Sequence, residues 1–270
     1  MSPSWRDRVL IGLAPGRVEL TRFARGLRPR AIRTASVPVG TAGAGWEDCL
    51  AALERSLAEP HWRGADAEVT LSSHFLRLHL LPWSEALATD DERLAYARVE
   101  LEAIHGERVA RWTLRLDDAP VGTASPLCAV DTALLEGIRG ACARAALKLR
   151  GVSPGFVRVF NRQRLLMRGR AGAFAFAEPG RVTVALLQDG ACRWFANPRV
   201  GVALSEALAG EIRQAEALGA ISAHGQLRVA FAGPREALPG RIGVWEVVPI
   251  ATDPVAVPAT DIGALRPTEP

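Results

Sequence analysis

Two short stretches decide how this chain is read: Ala14-Pro15-Gly16-Arg17-Val18 near the start and Glu178-Pro179-Gly180-Arg181-Val182 in the second half. Each sets a Pro-Gly pair, which suits a tight turn, between runs whose apolar residues alternate. Around the first, Val9–Leu13 and Val18 to Leu20 predict a hairpin, with a third strand over Ala31–Val37. Around the second, Phe174 and Phe176 lead in, and Val182, Val184 and Leu186 lead out. Asp189-Gly190 then signals a second hairpin turn before Cys192, Trp194 and Phe195. Both segments continue into a helix. The first runs from Trp46 through Cys49, Leu50, Leu53 and Leu57 to a stop at Pro60, and the second covers Val202–Leu218.

Between these copies the pattern is mixed. Strands are predicted over Val69–Leu71 and Phe75–Leu81, with Arg77 and His79 alternating outward. Thr89 caps an acidic helix start at Asp90-Asp91-Glu92, whose apolar face is Leu94, Ala97, Leu101 and Ile104, and Gly106 ends it. Val109–Leu116 alternates as a strand. Leu127–Val130 reads as a strand, followed by a helix capped at Asp131 or Thr132 and stopping at Gly151. Phe156–Phe160 reads as the strand after it. A strand–helix–strand unit over 127–160 predicts a parallel pair. Leu227–Phe231 and Val244–Val248 read as the last strands, and a Pro-, Ala- and Thr-rich tail follows with no core pattern.

Composition excludes several classes. The 270 residues are 49% hydrophobic and 23% charged, which fits a globular chain rather than a disordered, collagenous or disulfide-dense one. Lys148 is the only lysine, so the net charge of +4 rests on arginine. Those arginines are scattered among acids, whereas a nucleic-acid binder would cluster them, so no nucleic-acid partner is expected. Cys49, Cys128, Cys142 and Cys192 form no C-x-x-C pair and read as buried reduced thiols. Met1 to Arg8 lacks a signal-peptide pattern, and no run of roughly 18 apolar residues occurs, so a cytoplasmic protein without direct membrane insertion is expected.

Catalytic motifs are equally scarce. The P-loop, the dinucleotide fingerprint and the G-x-S-x-G elbow are all missing. His74 and His79, five apart on one extended run, face opposite sides and cannot share a metal. His61, His105 and His224 read as solvated groups near loops or helix ends, and no metal site is expected.

The duplicated order of elements resembles the actin-like, ribonuclease-H-type superfamily of sugar kinases, chaperone ATPases and bacterial cytoskeletal proteins. Within it, the chain is similar to the pilus and secretion branch: PilM of type IV pili and the cytoplasmic part of GspL of type II secretion. Leu71-Ser72-Ser73-His74-Phe75-Leu76-Arg77, ending at Leu80-Leu81-Pro82-Trp83, resembles the strand leading into that branch's inserted subdomain. The unit over 127–160 followed by Asn161-Arg162 resembles its exit from the first lobe. The resemblance implies an α/β fold of two actin-like lobes, residues 1–165 and 166–252, facing each other across a cleft. A small α/β insertion would occupy about 84–119 of the first lobe, and 253–270 would be a tail.

In ATP-binding members the first turn is D-x-G, where a carboxylate holds the metal or its water. Here Ala14 stands at that position and cannot coordinate a cation. The second turn keeps a carboxylate, Glu178, and a glycine, while Pro179 removes one amide donor. The implied nucleotide set is therefore a vestigial one: Gly12, Gly16, Glu178, Gly180 and Gly233, with no cofactor expected. The bland reading of the glycines is that they serve turns. What the resemblance implies for function is a non-catalytic assembly protein, peripheral to the inner membrane. It would bind the cytoplasmic segment of a single-span membrane partner, with other platform proteins as further partners. Trp83, Tyr96 and Trp112 are the candidate anchors, and core packing is the other reading of each. The alternative is a nucleotide-dependent ATPase or kinase of the same superfamily, which would need Glu178 to hold Mg-ATP without help from Ala14.

Overall fold

Strand alternation and a left-handed glycine build the first sheet. The computed structural model describes residues 6–26, 30–40, 45–163, 171–201, 203–221, 225–232 and 236–250. β1 (Arg8–Ala14) and β2 (Arg17–Phe23) pair across Pro15-Gly16, and β3 (Ala31–Pro38) returns antiparallel to β2. Proline presets the first turn position, and Gly16 takes φ +79°, as the second position of a type II turn requires. The Gly16 carbonyl accepts from the Val39 N–H at 2.9 Å, so the chain leaving β3 is pinned to the turn between β1 and β2. α1 (Trp46–Leu57) then buries Cys49, Ala52, Leu53 and Leu57, one stripe at helical spacing. A 3-10 turn opens at Pro60, and β4 (Asp66–Leu71) pairs parallel with β1.

Another 3-10 turn, Ser73–Phe75, separates β4 from β5 (Leu76–Leu81). His74 therefore sits in that turn and His79 on the strand, which corrects the single extended run expected to carry both. α2 (Asp90–His105) starts on a capping box. Thr89 Oγ1 accepts from the Glu92 N–H at 3.2 Å, and the Glu92 carboxylate accepts from the Thr89 N–H at 2.9 Å. Of its expected apolar face, Ala97 and Leu101 are buried, while Ile104 is 59% exposed. After α2 the chain runs through a 3-10 turn, Gly106–Arg111, so β6 (Trp112–Leu116) is shorter than the strand expected from Val109.

β7 (Ser125–Asp131) leads into α3 (Thr132–Arg144), whose first turn is capped by the Asp131 carboxylate accepting from the Ala133 N–H. The helix stops at Arg144 rather than near Gly151. Ala146 takes φ +51°, its N–H reaches the Ala143 carbonyl at 3.0 Å, and the Leu147 N–H reaches the Cys142 carbonyl at 2.9 Å. That is a Schellman stop with alanine where glycine is usual. β8 (Lys148–Pro154) and α4 (Gly155–Gln163) follow. The strand expected over Phe156–Phe160 is thus helix. β8 pairs parallel with β4 rather than with β7, which lies in a different sheet.

The second meander repeats the first. β9 (Gly172–Glu178) and β10 (Arg181–Gln188) pair across Pro179-Gly180, with Gly180 at φ +74°. β11 (Ala191–Ala196) follows the Asp189-Gly190 turn, in which both residues have positive φ. The Gly180 carbonyl accepts from the Val200 N–H at 3.0 Å, the counterpart of the bond at Gly16. α5 (Leu204–Ala217) buries Leu204, Leu208, Ile212 and Ala215 and ends on Gly219 with the same pair of bonds as α3. β12 (Gln226–Phe231), the short β13 (Arg241–Ile242) and β14 (Trp245–Ile250) complete the sheet.

The sheet orders are β3-β2-β1-β4-β8 and β11-β10-β9-β12-β14-β13, while β5-β7-β6 form a sheet of their own. In both large sheets a meander is extended past its first strand by two parallel strands. Compactness divides the described chain in two. One unit comprises the residues up to Leu76 with Val130–Arg158, and the other comprises Arg77–Ala129 with those from Val159 onward. The expected insertion at 84–119 corresponds to α2 and β6, and its sheet also takes in β5 and β7. The expected boundary at 165/166 and the tail from 253 lie outside the described residues. One cluster in the second unit joins Ala173, Val184, Leu208, Ile212, Val229 and Trp245, and a smaller one under α2 joins Leu81, Leu101, Leu127 and Ala129.

Left-handed backbone gives substitutions of opposite sign. Gly16→Ala forces a Cβ into φ +79° and should destabilise by about 1 kcal/mol. Ala146→Gly relieves that strain at an exposed position and should stabilise by about 0.5–1 kcal/mol. Chemical denaturation of the two variants checks both signs.

Candidate functional site

In the first turn, Ala14 ends β1 and its carbonyl accepts the Cys49 thiol at 3.3 Å. Gly12, two residues earlier, sits opposite Glu19 on β2, and Glu19 pairs with Arg17 at 3.1 Å. The turn itself contains Pro15, which has no N–H, and Gly16, whose carbonyl is taken by Val39. In the second turn, Glu178 faces Arg181 across the β9–β10 register, and the Gly180 carbonyl is taken by Val200. Gly12 and Gly16 therefore belong to one compact unit, and Glu178 and Gly180 to the other. Gly233 lies outside the described residues.

The aromatic candidates sit on the small sheet and its helix. Tyr96 and Trp112 both pack against the cluster formed by Leu81, Ala97, Leu101, Val109, Leu127 and Ala129. The Tyr96 hydroxyl bonds the Glu100 carboxylate one helical turn on, which pushes its pKa up. Trp112 meets the His105 ring edge-on at 5.1 Å and lies beneath the Arg77 guanidinium, 5.8 Å from the ring centre. Trp83 stands after β5 and is 41% exposed, so of the three it presents the most surface.

Sequence reading missed a buried ion cluster in the first unit. Glu68 on β4 is 7% exposed and lies 3.6 Å from Arg8 and 3.2 Å from Arg158, and Arg158 also donates to Thr70. Glu68 and Arg158 are ninety residues apart, which no local spacing could show. The second unit holds an open cavity of about 390 Å³ lined by Ser205, Glu206, Arg213, Arg241 and Ile242, and none of the residues singled out above lines it. Among the described residues no three His, Cys, Asp or Glu side chains gather as a metal-ligand set, and no helix is long and apolar enough to cross a membrane. Burial pushes the thiols of Cys128 and Cys192 up to about 12 and that of Cys142 up to about 11.

No protein-family model matches the chain, and no curated protein matches it by sequence. Solved structures do match. The cytoplasmic domain of EpsL, an inner-membrane component of the type II secretion system of Vibrio cholerae, aligns at TM-score 0.55 and 14% identity over 90% of each chain. The PilM–PilN type IV pilus biogenesis complex aligns at TM-score 0.59 and 13% identity, covering 90% of this chain and 88% of that one. A Bacteroides thetaiotaomicron protein with an actin-like ATPase fold and unknown function aligns at 0.56 and 8%, covering 86% and 84%.

Two histidines near the aromatic cluster make the second unit sensitive to acid. Burial holds His79 below the usual histidine value against the opposing pull of Glu100, and its Nε2 is buried without a partner among the described residues. Burial, then Arg77, His79 and Arg108, hold His105 low as well. A histidine whose folded pKa is depressed contributes full stability above the unfolded value of 6.5 and loses it as pH falls below that. Thermal melting should therefore drop between pH 7 and 5, and His79→Leu should flatten the drop. With both large sheets and their order in view, the fold of this chain is the actin-like one, shared with PilM and the cytoplasmic domain of EpsL.

Proposed function

We propose that this chain is a non-catalytic, cytoplasmic assembly protein of a type IV pilus or type II secretion platform, which binds the cytoplasmic segment of a single-span inner-membrane partner. The observation that carries the reading is the shared fold, which extends over nearly the whole of both PilM and the EpsL domain. In this reading the membrane anchor belongs to the partner, and further platform proteins bind around it.

The turns support a non-catalytic role. A metal–nucleotide site asks for a carboxylate and free amides at the first turn. Ala14 supplies no carboxylate and Pro15 no amide N–H. The donor set does not fit Mg-ATP, and Glu178 remains as the one acidic group of the implied set. Trp83 is the strongest anchor for a partner segment, because Tyr96 and Trp112 are half-buried against the small cluster.

Co-purification with single-span membrane proteins encoded beside it tests the reading. Capture of one of them, weakened about tenfold or more by Trp83→Ala, is the expected result. Calorimetry should give no heat with Mg-ATP. Micromolar Mg-ATP binding that disappears in Glu178→Ala would instead establish the nucleotide-dependent enzyme.

A further inference from the structure

The cavity of about 390 Å³ in the second unit opens between one side of α5 and the start of the β13–β14 pair. α5 turns Leu204, Leu208 and Ile212 into the core, which leaves Ser205, Ala209 and Arg213 in a row along the cavity, four residues apart. Glu206 borders that row, and Pro239, Arg241 and Ile242 form the facing wall. Both walls are fixed. Ile242 is buried in the same core cluster as Leu208 and Ile212. Arg241 and Ile242 pair with β14, the Gly240 carbonyl accepts from the Val247 N–H at 2.9 Å, and Arg241 Nη2 donates to the Val244 carbonyl at 3.3 Å. Walls already in place leave little ordering to be done on binding.

The polar groups around this cavity are uncommitted. Among the described residues the side chains of Ser205, Glu206 and Arg213 make no hydrogen bond or ion pair. Arginines of the first unit behave differently: Arg22, Arg144 and Arg150 each hold a carboxylate. Glu206 and Arg213 stand seven residues apart on α5, about 10 Å along the helix axis, and do not pair. Arg241 lies opposite Glu246 in the strand register, but that carboxylate accepts from Gln226 Nε2 at 3.2 Å. Two guanidiniums therefore reach one cavity from opposite walls without a carboxylate of their own.

We propose that this cavity binds a carboxylate ligand with an apolar body. The carboxylate pairs with Arg213, whose planar fork takes both oxygens through parallel hydrogen bonds, and Arg241 adds a second positive charge from the facing wall. The body lies over the hydrocarbon of Ala209, Pro239 and Ile242. Glu206 selects against polyanions, because a phosphate chain filling the cavity would bring its charge up to that carboxylate. A free small acid and the last residue of a peptide share this chemistry. The inference does not rest on the assembly reading, which needs neither arginine.

Ligand-observed NMR of N-acetyl-leucine with the whole chain at low salt tests it. Saturable binding is expected, about tenfold or more weaker for N-acetyl-leucinamide, which keeps the body and loses the charge. Arg213→Gln and Arg241→Gln, both at exposed positions, should each weaken binding of the acid about tenfold or more. Arg139→Gln, on an exposed turn of α3, should leave it unchanged. A peptide of three alanines and a final leucine separates the two sources. Tighter binding than N-acetyl-leucine assigns the site to a peptide terminus, and equal or weaker binding assigns it to a free acid. No saturable binding, equal binding of acid and amide, or equal losses in Arg213→Gln and Arg139→Gln would overturn the proposal. Phenyl phosphate binding that depends on Arg213 while N-acetyl-leucine fails to bind would overturn it in favour of a phosphate ligand.

Discussion

A backbone carbonyl at a left-handed glycine organises each half of this protein. At Gly16 and again at Gly180, the Pro-Gly turn leaves its carbonyl facing the chain that exits the third strand, and a valine N–H closes the contact. That closure ties the exit of the third strand back to the first turn. α1 and α5 then have a preformed surface to cover, and β4 and β12 a first strand to pair with in parallel. Since the bond is backbone to backbone, it depends on φ at one residue rather than on side-chain identity, so it survives when the flanking sequence diverges. The two copies still agree on the Pro-Gly-Arg-Val word at the turn and on valine at the donor position.

The parts of the fold legible in the sequence are those governed by local chemistry. Pro-Gly, Asp-Gly and the Thr89–Glu92 capping box each state their geometry within four residues, and the structure has them all. The misreadings occur where the decisive residue carries the wrong signature. Ala146 adopts a conformation that glycine normally announces, so α3 looked longer than it is, and β8 was absorbed into it. The apolar run Phe156-Val157-Arg158-Val159-Phe160 reads like a strand, but Phe156 and Phe160 share a helical face. Phe156 is buried and Phe160 meets Phe174 edge-on at 5.5 Å. With β8 missed, the crossover from β4 could not be seen, because its partners are separated by a whole inserted sheet.

The functional candidates divide along the same line. Gly16, Glu178 and Gly180 could be located because a turn word is local, yet what surrounds them could not. Arg181 is the fourth letter of its word and looks like filler. Its backbone is bridged to Arg199 in the chain leaving β11, a contact that the word itself does not show. Long-range contacts of this kind, including Arg8–Glu68–Arg158, have no sequence period and become visible only with the sheet order. The first turn of each meander is in this chain a closed backbone junction, with the Gly16 and Gly180 carbonyls bonded to Val39 and Val200.

Among the described residues β8 is the last strand of the first sheet, and Lys148 sits exposed at its start, with Arg150 also exposed two residues on. Charges along an open strand discourage another chain from adding to it. Lys148 also carries the one side-chain amine in the sequence. Acylating reagents, lysine-directed cross-linkers and lysine-modifying enzymes therefore have a single internal address, at the rim of one sheet. Any such mark would report on that rim alone, and neutralising it would strip the edge of one of its two guards.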